Sequence, residues 1–298
     1  ALALLAPLFA HAAITVTDDA GQTVSLAEPA KRVIALSPHA VELVYAAGGG
    51  AKLVGAVSYS DYPPAARTLP RVGSNVGLDL ERIVALKPDL IVVWRHGNDD
   101  RQLDTLRGLG IALFHSQPHK LDDVGTNLEK LGTLLGTETT AATAARDYRG
   151  QIAALRAQYA GRSTVSLFYQ VWNRPLMTLS GAHIVSDAIA LCGGRNVFAG
   201  LKPLVPTVST EAVVAANPEA IVTASADASR QAGLSAPELA TWQDWPRLQA
   251  VERGNLFVLD ADLIDRPGPR LALGVAALCR DLDVARSRRP SAGSAVAH

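Results

Sequence analysis

Two well-separated stretches of the chain say nearly the same thing. Leu80-Glu81-Arg82-Ile83-Val84-Ala85-Leu86-Lys87-Pro88-Asp89 leads into the apolar run Leu90 to Val93, and Thr210-Glu211-Ala212-Val213-Val214-Ala215-Ala216-Asn217-Pro218-Glu219 leads into Ala220 to Thr223. Each copy predicts one unit. A short helix opens on an acidic residue, a proline without a backbone donor stops it, and a continuous apolar run is short enough to be a buried parallel strand. A repeat of this kind predicts a molecule built from two similar halves. Glu81 and Glu211 fall in the first helical turns, where the positive end of the helix dipole favours a carboxylate. A cap is the ordinary reading of such residues. Their duplication adds a second one, two equivalent acidic handles that grip a two-fold symmetric partner.

With 298 residues the chain accommodates two domains. It is 48% hydrophobic and carries 28 basic against 28 acidic residues, so a sizeable core is available and no net charge steers it toward nucleic acid or an anionic membrane. Residues 1–12 read as the remnant of a signal peptide. Ala1 to Phe9 is an apolar stretch without a basic start, and Ala10-His11-Ala12 fits a small-x-small cleavage pattern before Ala13. That predicts export to the periplasm. No cysteine near the cleavage point offers a lipid anchor. The two cysteines, Cys192 and Cys279, have no histidine at ligand spacing and make no zinc motif. In an oxidising compartment such a pair favours a disulfide over two free thiols.

Strand and helix patterns alternate along both halves. The first half reads as strand 32–36, helix 40–47, strand 53–57, the Glu81 helix, strand 90–94, helix 101–109 and strand 111–114. The second reads as strand 164–169, helix 184–191, the Glu211 helix, strand 220–223, a helical stretch near Leu248, strand 256–259 and helix 269–282. This order implies a parallel sheet flanked by helices in each half. Between the halves, residues 139–162 read as one helix, with Tyr148, Ile152, Leu155 and Tyr159 at helical spacing and Gly161 as its stop. At 1.5 Å per residue it spans about 33 Å. The fold class is therefore α/β, two Rossmann-like lobes joined by one long rigid helix, with a ligand cleft between the lobes that closes little. The divisions are an N-terminal lobe at 13–138, the connecting helix at 139–162, a C-terminal lobe at 163–285 and a disordered tail at 286–298.

The run Ser58-Tyr59-Ser60-Asp61-Tyr62-Pro63-Pro64, with the Leu80–Asp89 segment and Trp94-Arg95, resembles the periplasmic vitamin B12 (cobalamin) binding proteins of ABC importers. The likeness covers residues 31–285. Its fold is shared by a wider group that carries haem and iron-siderophore complexes. The resemblance implies a monomeric, exported, non-enzymatic carrier without a cofactor or metal of its own, which captures a corrinoid and delivers it to an inner-membrane permease dimer. It implies that Glu81 and Glu211 dock on the two permease subunits and that Cys192 and Cys279 form the family's disulfide. It places Tyr59 and the segment Asp262-Leu263-Ile264-Asp265-Arg266 against the corrin, whose broad apolar face rimmed with amides suits flat aromatic surfaces and a few polar contacts. Trp94, at a strand's C-terminal end, is a further candidate wall, and Trp172 is read as its equivalent in the second half.

The chain also departs from the family pattern. Asn75 and Val205 stand where tryptophans precede the two repeated helices, and Leu263-Ile264 is aliphatic where an aromatic pair is usual. These departures leave room for a related corrinoid such as cobinamide. The rival cargo is haem or a ferric siderophore. For haem, Tyr59, His39 and His183 are the axial candidates, although a solvated or helix-capping histidine is the commoner outcome. For an anionic siderophore, Arg266, Arg95 and Arg174 are few and scattered. A chelatase-like or hydrolytic enzyme finds no support in Gly-x-Ser-x-Gly, His-Glu-x-x-His, phosphate-loop or dinucleotide motifs.

Overall fold

The structure, a computed structural model, describes residues 13–74, 76–94, 97–226 and 236–290. Residues 1–12, read above as a signal-peptide remnant, Asn75, Arg95 and the end of the expected tail at 291–298 lie outside the described residues. The chain divides into two compact units. One holds the residues up to Gln117 together with Gly125–Arg146, the other Pro118–Val124 together with Asp147 onward.

In the first unit, the antiparallel hairpin β1 (Ile14–Thr17) and β2 (Thr23–Leu26) precedes β3 (Val33–Ala35), α1 (Pro38–Ala46) and β4 (Leu53–Ala56). A small hairpin of β5 (Gly73–Ser74) and β6 (Gly77–Leu78) leads to α2 (Leu80–Ala85), β7 (Leu90–Val93), α3 (Asp100–Gly108) and β8 (Ala112–His115). Then come α4 (Leu121–Leu135) and the 22-residue α5 (Glu138–Tyr159), inside which the boundary between the units falls. The second unit continues with β9 (Val165–Gln170), the hairpin β10 (Trp172–Asn173) and β11 (Leu176–Met177), α6 (Ile184–Leu191), β12 (Gly194–Asn196), α7 (Thr210–Ala216) and β13 (Ala220–Ser225). It ends with α8 (Gln249–Glu252), β14 (Leu256–Asp260), α9 (Ala261–Ile264) and α10 (Leu271–Ser287).

Both units carry the same four-stranded parallel sheet, in the orders β4-β3-β7-β8 and β12-β9-β13-β14. The repeated segments occupy equivalent places in the two sheets, as α2-β7 and α7-β13. Asp79 caps α2 by accepting from the Arg82 N–H at 2.9 Å, and Ser209 caps α7 by accepting from the Ala212 N–H at 3.2 Å. Each helix sends one fully buried residue into its core, Ile83 or Val213. Both copies leave the helix through a left-handed residue just before the proline, Lys87 at φ 47° and Asn217 at φ 42°. The acid after the proline then clamps the neighbouring strand. Asp89 accepts from the Arg32 N–H at 3.1 Å and donates its own N–H to Arg32 O at 3.0 Å; Glu219 repeats this with Ser166 at 3.1 and 2.9 Å.

Three readings of the sequence change. Helix α4 was not expected at all. The last helix runs on to Ser287, and Arg286 and Arg289, assigned above to a disordered tail, are tied down: Arg286 donates to Ser163 O at 2.8 Å, and Arg289 pairs with Glu219 at 2.9 Å. Long side chains capping nearby carbonyls and a buried-side carboxylate supply the order that composition did not reveal. Trp172 is not the equivalent of Trp94. It follows β9, the counterpart of β3, whereas Trp94 follows β7, the counterpart of β13.

Candidate functional site

Open parallel sheets bind ligands beyond the carboxyl ends of their strands, and the expected ligand residues of each unit gather there. In the first unit, Tyr59 follows β4 and Trp94 follows β7, so the two lie beyond strands that flank β3. Tyr59 is 77% exposed and has φ 64°, a left-handed conformation that costs a residue with a side chain about 1–2 kcal/mol. The surrounding loop is braced to hold it. Ser58 donates its N–H to Gly73 O at 2.9 Å, and the Arg71 guanidinium donates to Val57 O at 3.3 Å and Ser60 O at 3.0 Å. A large aromatic side chain is thus presented to solvent at the expense of backbone strain.

Trp94 is half-buried. Its ring meets His39 edge-on with centroids 5.6 Å apart. Gly97 lies under the indole so closely that a Cβ there would sit 2.1 Å from the ring. Asn98 fixes the loop across two strand ends, accepting from the Trp94 N–H at 2.8 Å and donating to Leu36 O at 3.1 Å. His39 itself is only 3% exposed and lies 3.4 Å from Ser37 Oγ, so it presents no free face to an iron.

In the second unit, Trp172 stands 62% exposed on the β10–β11 hairpin, its indole N–H donating to Arg174 O at 3.1 Å. The segment after β14 divides its labour. Asp262 pairs with Arg266 at 2.7 Å. Leu263 turns its main chain against Gly274, where a Cβ would meet Leu263 O at 2.7 Å. Ile264 is completely buried, so its expected place against a ligand is corrected: the side chain fills the core. Asp265 accepts from the Tyr169 hydroxyl at 2.9 Å. The residue surface is exposed, yet the protein packed around its carboxyl withholds solvent from the charge and pushes it up to about 6, the Tyr169 hydrogen bond acting the other way. Burial also pushes the Tyr169 phenol well above its usual range. Tyr169 and Asp265 are 96 positions apart, and no local pattern signalled the pair.

His183 is the N-cap of α6, its Nδ1 accepting from the Val185 N–H at 3.2 Å, which is the capping outcome expected for it. Val205 is half-buried. Among the described residues no group of three His, Cys, Asp or Glu side chains is placed to hold a metal ion. No helix among them is long and apolar enough to cross a membrane.

Glu81 and Glu211 are both exposed in the first turns of α2 and α7. The Glu211 carboxyl is held below its ordinary value by its own backbone N–H and by the Ser209 hydroxyl, so capping is one of its functions. Beside it opens a groove of about 610 Å³ within the second unit, lined by Arg174, Pro175, Ser209, Asp244 and Trp245 among others. Cys192, at the end of α6, and Cys279, in α10, form a disulfide with Cα atoms 4.8 Å apart.

Residues 33–263 match the family described as periplasmic binding protein. A vitamin B12-binding protein of Vibrio cholerae serotype O1 is 39% identical over 260 residues, 87% of this chain and 92% of the relative. The crystal structure of a periplasmic vitamin B12 binding protein of Vibrio cholerae superposes with a TM-score of 0.78 at 39% identity, covering 87% of this chain and 98% of that one. A periplasmic heme binding protein from Pseudomonas aeruginosa superposes with a TM-score of 0.72 at 28% identity, covering 88% and 95%. With two matched parallel sheets, aromatic side chains beyond their carboxyl ends and this breadth of similarity, the chain belongs to the periplasmic binding protein family.

Proposed function

We propose that this protein is an exported carrier that captures cobalamin or a closely related corrinoid and delivers it, chemically unchanged, to an inner-membrane ABC importer. The observation that carries the reading is the 39% identity, across 87% of the chain, to a relative named for vitamin B12 binding. The site chemistry agrees with it. In the first unit Tyr59 and Trp94, and in the second Trp172, offer flat apolar surface of the kind a macrocycle face suits, and the second unit's Asp262, Asp265 and Arg266 offer the few polar groups an amide rim suits. Glu81 and Glu211 are the docking contacts for the two permease subunits.

Haem is the second reading, favoured by the 28% identity to a heme binding protein and by the exposed Tyr59 phenol. His39 and His183 support it less, being buried against Ser37 and engaged as a cap. Isothermal titration with cyanocobalamin, cobinamide and haemin separates the two. One-to-one corrinoid binding at about −8 kcal/mol or better is expected. Saturable binding of haemin with none of either corrinoid moves the cargo to haem.

A further inference from the structure

Asp265 carries an uncompensated charge at the carboxyl edge of the second sheet. Its neighbour Asp262 has Arg266 at 2.7 Å, whereas no cation among the described residues lies within ion-pair distance of Asp265. The Tyr169 hydroxyl, buried at the end of β9, donates to Oδ1 at 2.9 Å, which fixes the carboxylate and leaves Oδ2 as a hydrogen-bond acceptor on an exposed residue. An acceptor of this kind takes an N–H donor well. A second carboxylate meets like charge at that oxygen.

We propose that Asp265, oriented by Tyr169, selects a cargo whose rim carries carboxamides over one bearing a carboxylate at the same rim position. The inference rests on the corrinoid reading above and names what that site reads. It gives Asp265 a specificity role and makes Tyr169 a positioning residue, a part that the sequence did not assign.

The selection has a built-in pH dependence. With its carboxyl raised to about 6 by the surrounding protein, Asp265 is an acceptor at neutral pH and becomes a donor as pH falls through that value. Helix α9 packs against β13, β14 and α10. The charged groups these elements bring to its end are Asp260 on β14 and Arg270 at the start of α10, with Asp262 and Arg266 on the segment itself; β13 ends in uncharged Thr223 and Ser225. Tyr169 is the titratable group in direct contact.

The test uses cyanocobalamin and its peripheral monocarboxylates, each with one rim carboxamide hydrolysed, titrated into the native protein, Asp265→Asn and Tyr169→Phe. At about pH 7.5 at least one monocarboxylate should bind the native protein roughly tenfold or more weakly than cyanocobalamin, and at about pH 5 that gap should close. Asp265→Asn alters a rim contact, so its cyanocobalamin affinity should fall severalfold; it should nevertheless bind cyanocobalamin and the monocarboxylates alike at both values, because its amide can donate or accept. Tyr169→Phe removes a hydrogen bond that favours the ionised carboxyl, so it should move the closing of the gap to higher pH, an effect that a purely structural tyrosine would not produce. Equal affinity for every monocarboxylate at neutral pH, or a gap that survives Asp265→Asn, overturns the selection alone. Absence of any cyanocobalamin binding by the native protein overturns the corrinoid cargo and the selection with it.

Discussion

The repeated acids are not equal in what they do. Glu81 and Glu211 face solvent, whereas the acids that follow the prolines, Asp89 and Glu219, hold the sheets together by bracketing Arg32 and Ser166 on the neighbouring strands. Glu219 is the more heavily invested. Desolvation raises its carboxyl, but the Arg289 hydrogen bond, the Ser166 N–H and the charges of Arg289 and Arg253 outweigh that and hold it below its usual value. A carboxyl lowered in the folded state stabilises the fold above its unfolded value, and that contribution is lost as pH falls through the folded one. Glu219→Gln should therefore cost about 1–2 kcal/mol at neutral pH in urea unfolding. Once pH has fallen below the lowered folded value, the variant and the native protein should converge, since both then carry a neutral side chain there. A difference that stays constant down to acid pH would mean that shape, not charge, makes the contact.

At the scale of elements, the repeat was legible because every device in it is local: an acid in the first turn, a proline at the stop, an apolar run just beyond. Helix α4 shows the limit of such reading. Its start is held by acids that do not precede it: Asp123, within the helix, reaches back to the N–H groups of His119 and Lys120 at 2.9 and 2.8 Å, and the Leu121 N–H donates to Asp187 at 3.0 Å, 66 positions on, so no capping residue directly ahead of the helix marks it. The ligand side of the second unit was legible only in part. Trp172 and Asp262 kept exposed or half-exposed places, but Ile264 turned into the core, and Tyr169 met Asp265 through the fold rather than through the sequence. The disulfide is another long-range tie, closing the end of α6 onto α10 across 87 positions. In the chain-entropy account a loop of that size contributes about 4–5 kcal/mol by restricting the unfolded chain. Replacing Cys192 and Cys279 together by alanine should lower the urea midpoint by a corresponding amount. Corrinoid affinity should remain within about threefold, because neither cysteine lies beyond a sheet's carboxyl edge. A parallel loss of affinity would show that the staple also shapes the ligand side.

At the scale of the whole molecule, the proposed docking role rests on the duplication. Two sheets of the same order each present a short helix that buries a single residue, Ile83 or Val213, and leaves an exposed glutamate at its opening. Helices so shallowly seated contribute little core for their surface, which suits them to an outside contact. A permease built from two like subunits would meet one such glutamate from each unit, and arginine partners would recognise them in bidentate fashion. The capping function of Glu211 complicates a simple truncation, because removing its carboxylate also frees its own N–H and the Ser209 hydroxyl. Glutamine is the cleaner substitution, since its amide oxygen still accepts those hydrogen bonds while the charge is gone. The double variant Glu81→Gln with Glu211→Gln should keep cyanocobalamin affinity within about twofold. It should lose binding to the detergent-solubilised importer and importer-dependent uptake, and the importer interaction of the native protein should weaken as salt is raised. Each single variant should fall between the two, one handle remaining in place. If the double variant docks as well as the native protein, the paired glutamates are caps alone and the importer reads another surface, of which the groove beside Glu211, with Arg174, Asp244 and Trp245 on its walls, is the first to probe.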